Sequence, residues 1–131
     1  MKMKRYDPRR APDPREWLAL DDKECLSRVE RYHRKAAPEL PNQRLHATIH
    51  VIVENQIALG DETPVASTVD RLMREGLDRH DAIHAVGAML SQEIFHMLKS
   101  GHKGEVREPN EDYFRKLERL TAEGWTRGDF S

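Results

Sequence analysis

Apolar residues in this chain recur every three or four positions, punctuated by glycine and proline. Nowhere do they sustain the every-second-residue alternation of a half-buried strand. That spacing predicts an all-α fold, a small antiparallel bundle of about five helices. Asp21 and Glu24 form a capping box ahead of the stripe Cys25, Leu26, Val29, Tyr32 and Ala36, which Pro38 and Pro41 end. Asn42 caps a second helix reaching Leu59, with Leu45, Ile49, Ile52, Val53 and Ile57 inward and Gly60 closing it. Thr63-Pro64 opens a third, with Val65, Val69, Leu72 and Met73 inward, and Gly76 stops it. Asp78 caps a fourth, whose inward residues are Ile83, Val86, Leu90, Ile94, Met97 and Leu98 before Gly101. After the polar stretch GHKGEVREP, Asn110 caps a last helix carrying Tyr113, Phe114, Leu117 and Leu120 and ended by Gly124.

A length of 131 residues suits one domain. Residues 1–14 hold Lys2, Lys4, Arg5, Arg9 and Arg10 with three prolines and few apolar side chains. This stretch is expected to be a flexible basic arm or a strap over the domain, dispensable for stability. Residues 15–131 form a single helical domain, with its core in 20–100 and a C-terminal helix over 110–124. With 22 basic and 23 acidic side chains the net charge is −1, a poor match to a phosphate backbone or an anionic membrane. No run of 18 apolar residues is present to span a membrane, and the N-terminal residues lack the apolar stretch of a secretory signal. The single cysteine, Cys25, excludes an internal disulfide and fits a reducing cytoplasm. It lies on the apolar stripe, where packing rather than nucleophilic chemistry is expected. Trp17 and Trp125 are expected to dock the two ends of the chain.

The seven histidines are not scattered. His46 and His50 stand four apart in LHATIH, and His80 and His84 stand four apart in RHDAIH. Residues i and i+4 share a helix face about 6 Å apart along the axis, a spacing at which two imidazoles can grip one ion. Both pairs fall at the flank of the apolar arc, partly dry yet reachable. If short loops make successive helices antiparallel, the first turns of the second and fourth helices share one end of the bundle. The helix over 22–36 brings His33 to that same end. Glu54 extends the first pair to His-x3-His-x3-Glu. Eight residues of helix rise about 12 Å, so Glu54 and His46 cannot share an ion. Glu54 would instead join His50 at a second ion, hydrogen-bond a ligand imidazole, or be solvated. His96 falls on another face and His102 in the linker.

Residues 80–84, His-Asp-Ala-Ile-His, differ by one carboxylate from the zinc-protease pattern His-Glu-x-x-His, in which the glutamate activates the metal-bound water. The shorter Asp81 would misplace that base, and Leu90 stands where a third metzincin histidine would fall. A helix–turn–helix over residues 64–99 would present Arg79, His80 and Asp81 to DNA, a poor set for base edges. The segments LPNQRLHATIHVIVENQIALGD and RLMREGLDRHDAIHAVG resemble a group of small bacterial proteins classed only as a domain of unknown function. The resemblance covers roughly residues 15–100. It implies a compact helical protein of the bacterial cytoplasm and carries no activity with it. Position 81 is aspartate here where that group has glutamate.

The expected function is binding of a transition-metal ion (zinc, nickel, iron or copper) by His46, His50, His80 and His84, with His33 and Glu54 as adjuncts. The rival readings are a helical interaction or regulatory module with unmetallated, hydrogen-bonded histidines, and a metal-dependent hydrolase. The expected partner is the metal ion, with no membrane or nucleic acid; a homo-oligomer is compatible with the sequence.

Overall fold

A computed structural model of the chain describes residues 5–100 and 111–128. Among the described residues there are seven α-helices, one turn of 3₁₀ helix and no strand: α1 (Pro14–Ala19), α2 (Asp22–Ala36), α3 (Gln43–Ala58), the 3₁₀ turn (Gly60–Glu62), α4 (Val65–Arg74), α5 (Arg79–Ser100), α6 (Glu111–Arg119) and α7 (Ala122–Arg127). The fold is all-α.

Local chemistry sets most of these boundaries. The Asp13 carboxylate accepts from the amides of Arg15 and Glu16 and starts α1 at a proline, whose missing N–H costs nothing there. Asp21, Asn42 and Asp78 accept from Glu24, Leu45 and Asp81 to start α2, α3 and α5. Glu24 does not complete a box, because its carboxylate turns outward to Arg28. Gly60, at φ +64°, takes the left-handed conformation that ends α3. The single C-terminal helix expected over 110–124 is two. α6 ends at Arg119, the Thr121 hydroxyl accepts from Gly124 N–H to start α7, and Gly124 lies inside α7. A side-chain cap outweighed the low helix propensity of the glycine. The caps expected at Asn110 and Gly101 lie outside the described residues.

Helix α3 is the axis of the molecule. One flank, through Val53 with Ile49 and Ile57, faces the main core of Val65, Val69, Leu72, Ile83, Val86, Met89, Tyr113 and Leu117. The other flank, through Ala47 and Val51, faces a second core of Tyr6, Trp17, Cys25 and Val29. At 100° per residue, His46, His50 and Glu54 form the strip between these flanks. Four residues of the expected apolar stripes lie outside. Leu45, Met73 and Leu98 are 55%, 41% and 70% exposed, because no described helix covers those edges of α3, α4 and α5, and Ala36 is exposed at the end of α2.

The segment before α1 is not a free arm from residue 5 onward. Tyr6 and Pro8 are buried and the chain crosses α3 and α5 as a strap. One aromatic ring and one backbone carbonyl suffice to hold it, so its scarcity of apolar residues was a poor guide to its order.

Candidate metal centre

The chain brings five histidines from three helices into one cluster. His33 comes from the last turn of α2, His46 and His50 from the strip on α3, and His80 and His84 from the first turns of α5. The ring centroids of His33 lie 4.5 Å from His46 and 4.6 Å from His50. Those of His84 lie 4.2 Å from His80 and 5.1 Å from both His46 and His50. The meeting place is a helix crossing, not a shared helix end. Helices α3 and α5 run antiparallel where they meet, not in the same direction as strict alternation of successive helices would give, so the start of α5 lies toward the later turns of α3. Followed backward along α3, contacts pass from Glu54 with Arg79, through His50 with His80, to His46 with His84.

One ligand nitrogen from each of His33, His50, His80 and His84 lies within 4.8 Å of the other three. Two ligands bound to one ion at about 2.1 Å stand about 3.4 Å apart at the tetrahedral angle. The four nitrogens are therefore gathered to within about 1.5 Å of a coordination sphere. The membership differs from the sequence expectation. His33, expected as an adjunct, is one of the four, while His46 packs against them from outside the set.

Hydrogen bonds fix which nitrogen two of the rings, His33 and His50, offer. His33 Nδ1 lies 2.8 Å from the carbonyl of Val29, which can only accept, so that nitrogen carries the proton and Nε2 keeps its lone pair. The Tyr6 hydroxyl has one proton and gives it to Glu54 Oε2 at 2.5 Å. Its oxygen then accepts from His50 Nδ1 at 3.2 Å, which leaves the lone pair of His50 on Nε2. That Nε2 lies 3.1 Å from His84 Nε2. The Nε2 atoms of His33, His46 and His80 are buried with no hydrogen-bond partner.

Burial, reinforced by the neighbouring rings, lowers the pKa values of all five histidines: His46 and His84 to about 4, His50 further, and His80 also below the ordinary value. For His33 burial acts against the hydrogen bond to Val29 and prevails. All five rings are neutral at neutral pH, the form that ligates.

Glu54 is neither solvated nor a ligand. It is 1% exposed, and its two oxygens take Arg79 Nη2 at 2.7 Å and Arg79 Nη1 at 2.9 Å, the latter oxygen also holding Tyr6. The helical strip aims it at the start of α5, away from the four nitrogens. Arg79 also donates to the Pro8 carbonyl at 2.9 Å, tying the strap to the same pair. Burial and the negative Glu54 both push the Tyr6 phenol well above its usual pKa, so it remains a donor.

Tyr6 and Arg79 are the site residues that sequence reasoning missed. The signal for Tyr6 was a lone aromatic in an otherwise polar arm, and for Arg79 its place beside His80. Asp81 is exposed, so the base of the protease-like pattern does not face the cluster. His96 is exposed on the far part of α5, and His102 lies outside the described residues. Cys25 is buried against the carbonyl of Trp17, and burial raises its thiol pKa, consistent with packing. Trp17 docks on α3 through Asn55, its indole N–H donating at 2.7 Å. No helix among the described residues is long and apolar enough to cross a membrane. No family model matches the chain, and no curated protein or solved structure matches it either.

Proposed function

We propose that the chain binds one first-row transition-metal ion through Nε2 of His33, His50, His80 and His84, with His46 beside it. The carrying observation is the gathering of four ligand nitrogens within 4.8 Å of one another, with buried Nε2 atoms of His33 and His80 left without partners and the tautomers of His33 and His50 fixed from behind. Buried polar atoms are normally satisfied, and leaving one unpaired costs about 1–3 kcal/mol. Two such atoms, on His33 and His80, belong to the four gathered nitrogens and ask for a common partner that accepts lone pairs, which is what a metal ion does. A module of unmetallated histidines would instead pair these nitrogens with donors. An all-imidazole set suits zinc, nickel, copper or iron. Glu54, Tyr6 and Arg79 would act behind the ligands, holding His50 in orientation as outer carboxylates do in many metal sites. With Asp81 facing away, hydrolysis by the protease pattern has no base.

The test is calorimetric titration of zinc and nickel into metal-free protein purified without a histidine tag. One ion per chain is expected for wild type and for His96→Ala/His102→Ala, and loss of binding for His50→Ala/His84→Ala. Equal affinities in all three would refute the site.

A further inference from the structure

The histidine cluster has an open side. A groove of about 430 Å³ runs between α3 and α5, a size in the range of small-molecule pockets. Its inner end is formed by His46, His50 and His84, and its length by Leu40, Leu45, Ile49, Ile83, Ala88 and Trp125. The floor depends on close helix approach, since a Cβ on Gly87 would stand 3.0 Å from Ile49 Cγ2. Among the other polar atoms of its lining, Asn42 Oδ1 accepts from the Leu45 amide, and the Ser91 hydroxyl donates to the Gly87 carbonyl at 2.8 Å. The polar groups concentrated at one end of this apolar groove are the imidazoles.

Charge decides what the head of that guest must be. A divalent ion held by neutral imidazoles brings two positive charges into a buried site. Glu54 is already neutralised by Arg79, and Asp78 and Asp81 act on His80 and His84 only from exposed, water-screened positions. An unbalanced buried charge is costly. We infer, resting on the metal reading above, that the groove binds a small organic monoanion, with its anionic head taking a fifth position at the ion and its apolar body along Leu45, Ile49 and Ala88. The 55% exposure of Leu45 at the rim is the apolar surface such a body would cover.

Cobalt(II) reports its own inner coordination in visible absorption, so the cobalt-loaded protein can be titrated with acetate, butanoate, hexanoate and 1-hexanol. Hexanoate should change the spectrum and bind at least tenfold more tightly than acetate, with a gain of up to about fourfold per buried methylene. 1-Hexanol should leave the spectrum unchanged. Leu45→Glu, at an exposed rim position, and Ala88→Phe, which fills the groove, should keep cobalt stoichiometry and weaken hexanoate at least tenfold. Equal affinity for acetate and hexanoate, a spectral change with 1-hexanol, or hexanoate binding that leaves the cobalt spectrum untouched would each overturn the inference while the metal reading stands. Failure to take up cobalt would overturn both.

Discussion

Glu54 and the histidine cluster occupy one strip of α3, a single turn apart, and both are buried. They solve burial in opposite ways. Every oxygen of Glu54 is engaged, by Tyr6 and by both terminal nitrogens of Arg79, and the strap closes over the pair through Pro8. The imidazoles next door are held from behind by the Val29 carbonyl and the Tyr6 hydroxyl, and across the cluster His50 and His84 meet Nε2 to Nε2. Their facing nitrogens are left without donors at three of the five rings. A self-sufficient ion pair is a structural device. A cluster held mostly from behind leaves buried lone pairs facing inward, which is the basis of the metal reading. Tyr6 joins the two, since it serves the carboxylate and His50 at once.

The largest expected effect lies on the self-sufficient side. Glu54→Ala leaves Arg79 as an unpaired buried cation and should cost about 3–5 kcal/mol. For a domain of this size that is a fall in Tm of roughly 10–20 °C, read by calorimetry. A fall of under two degrees would mean that the pair is not what closes this region.

Acid should act on the other side. A histidine whose pKa is lowered on folding takes up protons more readily when unfolded. Its contribution is therefore complete above the unfolded value of about 6.5 and is lost as pH falls toward the folded value. With His46 and His84 at about 4 and the other three also lowered, metal-free protein should have a flat Tm from pH 7 to 8 and a steep loss between pH 6.5 and 4. The variant His46→Gln/His84→Gln should flatten that slope. An unchanged slope would locate the acid sensitivity elsewhere.

Tyr6→Phe separates the two roles of the shared residue. Removing the hydroxyl should cost about 1–3 kcal/mol of stability and, with His50 no longer held, lower zinc affinity roughly 10–100-fold. Loss of stability with full zinc affinity would mean that the phenol serves the carboxylate alone. At the small end, His96→Ala should change stability by less than about 0.5 kcal/mol and leave zinc binding intact, because that ring is exposed and outside the cluster.

The sequence was most informative where a single chemical signal acts locally. Asp21, Asn42, Asp78 and Gly60 mark helix ends where the structure has them, and i,i+4 spacing was enough to pair the histidines on α3 and on α5. It was least informative where a long-range partner decides. Whether Leu98 is covered depends on where α6 lies, and whether residues 5–13 pack depends on one ring reaching His50 across the fold. The exchange of His46 for His33 among the four nitrogens has the same origin. Spacing along α3 says nothing of how closely the end of α2 approaches. The break between α6 and α7 was overlooked because Gly124 reads as a stop, while the Thr121 cap three residues earlier starts a new helix.

X-ray absorption at the metal edge of stoichiometrically zinc-loaded protein tests the central claim most directly. The account predicts a first shell of nitrogen at about 2.0–2.1 Å with the outer-shell scattering of four imidazoles, reduced on His33→Ala. A shell of carboxylate oxygens without imidazole scattering, or a spectrum unmoved by His33→Ala, would contradict it.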